Sequence, residues 1–142
     1  MLNNYYDKQV RELCHGVKER DPIAIKEMAS FFMNLDIISA ESILVPAPQH
    51  EGYAIYTRQI ANIISEQIGC QVADVIKSRP RDTLYQMKVH NIIKPLGFML
   101  DKVITGNDLF FIDNVIDTGI TFREANRLFN GKLKSMVYAV VN

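Results

Sequence analysis

Residues 112–121 combine a carboxylate, an amide and hydroxyls in an order that suits a sugar phosphate. Asp113 and Asn114 follow an apolar run, Asp117 comes four residues after Asp113, and a Thr-Gly turn leads to Thr121. Carboxylate and amide oxygens accept hydrogen bonds from sugar hydroxyls. Backbone N–H groups of a tight turn at a helix N-terminus bind phosphate. The segment therefore predicts a site for a ribose 5-phosphate.

A second candidate loop, residues 46–52, follows an earlier apolar run and reads Pro-Ala-Pro-Gln-His-Glu-Gly. Gly52 allows the backbone to approach a ligand closely at the start of the next helix, which suits an anion. The loop contains no Lys or Arg, so its polar candidates are Gln49, His50 and Glu51. The alternative interpretation is a plain connection between a strand and a helix.

The third candidate loop, residues 77–94, concentrates positive charge. Five basic residues and one acid give it a net charge of +4 in a chain whose total is zero. The basic residues are Lys77, Arg79, Arg81, Lys88 and Lys94. Three acids lie around the third apolar run and carry a combined charge of −3: Asp108, Asp113 and Asp117. A basic loop facing an acidic strand end suits a substrate with phosphates and a divalent cation, although a solvated surface loop is the alternative.

Helix signals and short apolar runs alternate along the chain. Apolar spacing predicts a helix around residues 10–17, and Asp21-Pro22 is a typical start for a second helix. A third helix ends at Gly69, and a fourth covers residues 121–129 with a Thr121/Glu124 capping box. Strands are predicted over 42–46, 71–76, 109–112 and 136–141, and residues 98–100 are a strand or a hairpin.

This order predicts an α/β fold with a mainly parallel sheet, helices on both faces and two short helices in front. Ligands of such sheets bind beyond the carboxyl ends of the strands. We therefore expect the loops after Val45, Ile76 and Ile112 to form one site.

Residues 112–121 resemble the phosphoribosyl pyrophosphate signature of the type I phosphoribosyltransferases. The resemblance covers about residues 40–142 and implies the three-layer α/β fold of that family. It implies that Asp113 and Asn114 bind the ribose hydroxyls, with Asn114 in the place of the usual second acid. It also implies that Asp117 serves as a base or as a polar support for the incoming nitrogen. The residues that would surround the 5-phosphate are Asp117, Thr118, Gly119, Ile120 and Thr121.

The same resemblance assigns the other two loops. Residues 46–52 correspond to the pyrophosphate loop, with Gln49, His50, Glu51 and Gly52 as candidates. Residues 77–94 correspond to a flexible loop that closes over the pyrophosphate, with Arg79, Arg81 and Lys88 as candidates. The segment from Arg81 to Met87 is similar to the corresponding loop of the competence protein F-like branch of the family.

The activity implied by the resemblance is transfer of ribose 5-phosphate from phosphoribosyl pyrophosphate to a nitrogen nucleophile, such as a purine or pyrimidine base, with release of pyrophosphate. Mg²⁺ would be bridged by the substrate rather than held by a set of protein ligands. The acceptor stays open. Residues 1–40 would form a helical hood over it, with Tyr5, Tyr6, Phe31 or Phe32 as stacking groups.

A non-catalytic protein of the same fold is the alternative from a different class. It would bind or regulate, for example as an accessory factor in competence and DNA uptake. Asn114 and the missing basic residue near Gln49 favour this interpretation. A small structural domain without a ligand is a third, weaker alternative.

Composition excludes several broad classes. The 142 residues carry 16 basic and 16 acidic side chains, which argues against general nucleic-acid binding. Cys14 and Cys70 are too few and too far apart for a disulfide framework or a zinc site. No apolar run approaches the roughly 20 residues of a membrane span, and the start lacks a secretory signal. We expect one cytoplasmic domain over 1–142, with a 41–142 core, that is compatible with a homodimer.

Overall fold

The computed structural model describes residues 3–90 and 95–141, without the side chains of Leu84, Tyr85 and Lys88. Helices and strands alternate through most of this part of the chain. In order, the elements are β1 (Asn3–Asn4), α1 (Lys8–Lys18), α2 (Pro22–Asn34), β2 (Ile43–Pro46), α3 (Tyr56–Ile68), β3 (Gln71–Val72), β4 (Ile76–Lys77), α4 (Leu84–Val89), β5 (Met99–Leu100), β6 (Leu109–Ile116), α5 (Ile120–Leu128) and β7 (Leu133–Val140).

Five of the strands form one sheet in the order β1-β7-β6-β2-β3, and each neighbouring pair is parallel. β4 and β5 form a separate antiparallel pair. Within the main sheet β6 lies between β7 and β2, and Pro46 at the end of β2 is in register with Ile112 of β6. The expected α/β fold with a mainly parallel sheet is therefore confirmed, and the loops that follow β2 and β6 leave the same edge of the sheet.

The two faces of the sheet are covered by different elements, because successive side chains of a strand point to opposite sides. Leu44, Phe110 and Ile112 pack with buried residues of α1, α2 and α3. Val45 and Phe111 belong to a second cluster, which includes residues of α5 and of the segment before β5. The predicted helices on both faces are confirmed, with α1 and α2 on the same side of the sheet as α3.

Local signals at the helix ends agree with the structure. The Asp21 carboxylate accepts a hydrogen bond from the Ile23 N–H at 3.1 Å, and Pro22 is the first residue of α2. Gly69 ends α3 in the left-handed conformation with φ 85°. The short strand β1 was not predicted, and its pairing with β7 extends the sheet at one edge.

Three predicted strands are wrong in detail, and one of them, 136–141, is observed as Leu133–Val140. Residues 71–76 are not one strand, since the chain leaves the main sheet after Val72 and Ile76 pairs instead with Leu100. The predicted strand 109–112 continues to Ile116, because β7 pairs with it along its whole length. Asp113 and Asn114 therefore lie within a strand.

The predicted capping box at the start of α5 is also absent. α5 begins at Ile120 after Gly119, which has φ 82° and, as the N-cap residue, makes no side-chain capping hydrogen bond. The Glu124 carboxylate instead accepts the Leu96 N–H at 2.9 Å and 3.0 Å, so it fixes the start of the segment that leads to β5.

None of the helices within residues 3–90 and 95–141 is long and apolar enough to cross a membrane. Cys14 and Cys70 are both buried free thiols.

Candidate functional site

A cavity of about 970 Å³ lies beside the ends of β2 and β6. This volume is at the upper end of the roughly 300–1,000 Å³ of small-molecule sites. The cavity brings together predicted site residues from all three loops. They are Gln49, His50, Glu51, Arg81, Asp113, Asn114, Asp117, Thr118, Gly119 and Thr121.

Three predicted residues are placed differently. Gly52, Arg79 and Ile120 do not line the cavity, and Arg79 is exposed. The side chain of Lys88 lies outside the described part of the chain, as does all of residues 91–94.

Asp108 does not belong to the acidic end of the sheet, contrary to the charge count made from the sequence. It precedes β6, and its carboxylate accepts hydrogen bonds from Ser42 Oγ at 2.5 Å and from Lys134 Nζ. Asp108 therefore stabilises the end of the sheet opposite to the cavity. The acids that face the cavity from this part of the chain are Asp113 and Asp117.

Asp113 is half-buried at the cavity wall. Its Oδ1 accepts a hydrogen bond from the backbone N–H of Asn114 at 2.8 Å. Burial raises the pKa of Asp113 to about 7, although this hydrogen bond and the charges of Lys18 and Arg81 act in the opposite direction. The carboxyl is therefore partly protonated near neutral pH, and it gains a negative charge when a ligand favours the ionised form.

Asn114 is 3% exposed, and one end of its amide has a partner. Tyr56, the first residue of α3, donates its hydroxyl to Asn114 Oδ1 at 3.4 Å. The Asn114 Nδ2 group is buried and has no hydrogen-bond partner among the described residues. An unpaired buried donor is costly, and this one belongs to a residue that lines the cavity.

Arg81 presents a second donor of the same kind. Its Nε is buried without a hydrogen-bond partner in the described part of the chain. The guanidinium lies 5.8 Å from the centre of the Phe98 ring, and burial lowers its pKa from the usual value. Arginine stays protonated under such a shift because its pKa starts so high. A cation with an unused N–H therefore lines a cavity that also contains Asp113.

The turn between β6 and α5 has the geometry of an anion site. Gly119 adopts a left-handed conformation with φ 82° directly before α5. Thr118 Oγ1 accepts the Ile120 N–H at 3.4 Å, and Arg123 Nη1 donates to the Thr118 carbonyl at 3.1 Å. The N–H groups of the first helical turn have no partner within the helix, and together with the positive end of the helix dipole they favour a phosphate here.

The loop after β2 is fixed by its own side chains. Gln49 Nε2 donates to the Ala47 carbonyl at 2.8 Å, and Gln49 Oε1 accepts the Ile55 N–H at 2.5 Å. The Gln49 amide therefore holds the loop in shape. His50 Nε2 lies 3.2 Å from a Glu51 carboxylate oxygen.

Backbone hydrogen bonds join the basic loop to this loop. Ser78 donates its N–H to the Gly52 carbonyl at 2.8 Å, and Arg81 donates its N–H to the His50 carbonyl at 2.8 Å. Gly52 has φ 103°, and a Cβ there would lie 2.2 Å from the Ser78 carbonyl oxygen. Glycine is therefore required at this position for the two loops to approach each other this closely.

Several cavity residues come from the N-terminal segment. Tyr5 and Tyr6 were considered as stacking groups, and both line the cavity, whereas Phe31 and Phe32 do not. Tyr5 Oη lies 3.0 Å from His15 Nε2. The cavity residues without an earlier functional assignment include Cys14, His15, Lys18, Arg20 and Tyr56.

The Cys14 thiol remains protonated, because burial raises its pKa to about 11. Within the described ranges, no group of three or more His, Cys, Asp and Glu residues is arranged to hold a metal ion.

Comparison of the sequence with protein-family models and with curated proteins finds no match.

Proposed function

We propose that this chain binds phosphoribosyl pyrophosphate and transfers its ribose 5-phosphate to a nitrogen nucleophile, with release of pyrophosphate. The observation that carries the proposal is the pair of unpartnered buried donors, Asn114 Nδ2 and Arg81 Nε, at one cavity with Asp113. A ligand rich in oxygen acceptors would satisfy both donors. The resemblance of residues 112–121 to the phosphoribosyltransferase signature supports the same ligand.

The ribose would lie against β6. Asp113 and Asn114 both line the cavity where β6 ends, and together they would offer carboxylate oxygens and an amide donor to ribose hydroxyls. The 5-phosphate would bind the turn from Thr118 to Thr121, where Gly119 directs the chain into α5.

The diphosphate would lie between the other two loops. The hydrogen bond from the Arg81 N–H to the His50 carbonyl holds Arg81 in this region. Its guanidinium can pair with two phosphate oxygens. As the bond from C1 of the ribose to the diphosphate oxygen breaks, negative charge accumulates on the leaving group. A fixed cation beside the leaving group stabilises that charge.

Asp117 is exposed at the mouth of the cavity and suits the acceptor side. While the bond from C1 to the nitrogen forms, the nitrogen loses a proton, and the Asp117 carboxylate can accept it. Asp113 would meanwhile keep the ribose in place. The assignment makes Asp117 the catalytic residue and Asp113 a binding residue.

Magnesium fits this cavity as a partner of the substrate. Asp113 would contribute a carboxylate oxygen from the cavity wall, and the ligand would supply its own phosphate and hydroxyl oxygens. When bound, the ion would neutralise part of the diphosphate charge.

A specific observation favours a non-catalytic binding protein as the second candidate. The position after Asp113 holds an amide, and Asp113 itself is partly protonated near neutral pH because its pKa is about 7. Both features reduce the negative charge that would hold a metal-bound ribose. Such a protein would bind the same ligand and leave its C1–O bond intact.

Release of pyrophosphate distinguishes the two candidates. Purified protein is incubated with phosphoribosyl pyrophosphate, Mg²⁺ and a panel of purine and pyrimidine bases, and released pyrophosphate is measured. Binding of the donor is measured in parallel by calorimetry. Release that depends on one base supports the transferase, whereas binding without release supports the second candidate. Absence of binding contradicts both.

A further inference from the structure

Arg20 brings a cation from the N-terminal segment to the loop after β2. It lies in the turn between α1 and α2, and its side chain lines the same cavity. Its Nη2 is 3.9 Å from Glu51 Oε2. The loop of residues 46–52 has no Lys or Arg, so Arg20 supplies the charge that this loop lacks.

The backbone of Arg20 adopts an unfavourable conformation. Its φ is 63°, in the left-handed region, where the Cβ of an ordinary residue is crowded. Two hydrogen bonds of 2.9 Å close the end of α1 around it, from Arg20 N–H to the Val17 carbonyl and from Asp21 N–H to the Gly16 carbonyl. Glycine or asparagine usually occupies such a position. The backbone conformation therefore gives no advantage to an arginine here, and any role of this residue would lie in its side chain.

The ion pair with Glu51 does not explain that role. The Arg20 side chain is 55% exposed, and pairs of this length and exposure contribute little to stability. Glu51 also contacts His50 at 3.2 Å, which leaves the guanidinium able to change partner. Its planar set of N–H donors matches two phosphate oxygens at once.

We propose that Arg20 binds the diphosphate of the ligand and thereby replaces the basic residue missing from the loop of residues 46–52. The inference rests on the proposed function, because it assigns this loop to the diphosphate. Arg81, whose N–H is bonded to His50, would hold the same group through its own guanidinium. The N-terminal segment would then take part in binding the donor as well as in covering the cavity.

The test compares two ligands, inorganic pyrophosphate and ribose 5-phosphate, each with Mg²⁺, by calorimetry. Arg20→Gly removes the side chain and relieves the left-handed backbone, so its melting temperature should equal or exceed that of the parent protein. We expect it to weaken pyrophosphate binding about tenfold, the effect of losing a charge-assisted hydrogen bond, and to leave ribose 5-phosphate binding unchanged. Arg20→Lys keeps the charge without the planar donors. Its affinity for pyrophosphate should lie between those of the parent protein and Arg20→Gly. Arg127→Ala, an equal charge change at an exposed site outside the cavity, should alter neither affinity.

The contrary outcomes distinguish the role of Arg20 from the proposed function. If Arg20→Gly retains full affinity for pyrophosphate, or loses affinity for both ligands equally, the role of Arg20 is wrong while the proposed function stands. If the parent protein binds neither ligand, the proposed function is wrong and the role of Arg20 falls with it.

Discussion

Tyr56 orients the amide of Asn114. The Tyr56 hydroxyl lies 3.4 Å from Asn114 Oδ1, and burial raises the pKa of Tyr56 far above its usual value, so the hydroxyl stays protonated and donates. With Oδ1 occupied, the amide presents its Nδ2 as a donor. An aspartate in the same place would offer no donor. The asparagine is thus held by α3 in one of its two orientations.

Tyr56→Phe should therefore weaken ligand binding more than it weakens the fold. We expect a loss of about 0.5–1.5 kcal/mol in the free energy of unfolding, the typical value of one hydrogen bond. Because the amide is then free to rotate, the affinity for ribose 5-phosphate should fall roughly fivefold. Calorimetry and thermal unfolding measure the two effects. Tyr53→Phe is the matched control, since Tyr53 is 50% exposed and lies outside the cavity. Equal affinities in the two variants would contradict the orienting role.

Gly52→Ala should separate the basic loop from the loop after β2. An added Cβ would lie 2.2 Å from the Ser78 carbonyl oxygen, and the backbone at φ 103° disfavours any side chain. We expect destabilisation of about 1–3 kcal/mol and weaker pyrophosphate binding, because Arg81 loses its anchorage. The measurements are thermal unfolding and calorimetry with pyrophosphate.

Gly69→Ala provides the control for backbone strain alone. Gly69 also has a positive φ, 85°, but a Cβ there meets nothing within 4 Å. The Gly69→Ala variant should have a lower free energy of unfolding and an unchanged affinity for pyrophosphate. The close approach of the two loops is unimportant for binding if both variants bind pyrophosphate like the parent protein.

Signals carried by consecutive residues predicted much of the fold. The Asp21 cap, the left-handed Gly69 and the apolar runs of β2 and β6 depend on neighbours in the chain, so the sequence shows them directly. The same holds for Asp113 and Asn114, whose strand lies next to β2 and brings them to the cavity.

Contacts between residues distant in sequence explain why the other roles were not predicted correctly. Glu124 fits a capping box by spacing, but the Leu96 N–H, 28 residues away, takes its carboxylate. Asp108 was counted with the site because it is close in sequence, yet it lies before β6 and pairs with Lys134. Lys18 and Arg20 reach the cavity only because α1 packs on the sheet, which no local pattern reveals.

Asp117→Asn should lower turnover much more than donor affinity. The amide keeps the size of the side chain but cannot accept a proton from the incoming nitrogen. We expect the rate of pyrophosphate release to fall roughly 100-fold or more, as for loss of a general base, with little change in the affinity for phosphoribosyl pyrophosphate. Asp101→Asn, at an exposed residue outside the cavity, should change neither quantity. Equal losses in turnover and affinity would make Asp117 a binding residue.

Asp113 should make the stability of the protein depend on pH. Its pKa is raised from 3.8 to about 7, so between these values the folded state binds a proton that the unfolded state has lost. The free energy of unfolding should therefore fall as the pH rises from about 4 to 7 and then level off. By linkage the fall is on the order of a few kcal/mol.

Asp113→Asn removes this titration and keeps an acceptor for the Asn114 N–H. The variant should match the parent protein in stability at low pH and exceed it above pH 7, by an amount on the order of a few kcal/mol. Denaturant unfolding across the pH range measures the difference, with Asp101→Asn as the control that should follow the parent curve. Affinity for ribose 5-phosphate should fall in Asp113→Asn, because the ionised carboxylate accepts ribose hydroxyls more strongly than an amide does. A gain in stability above pH 7 together with loss of binding would show that this carboxyl serves ligand binding. A variant that unfolds more easily at every pH would instead show that Asp113 stabilises the fold.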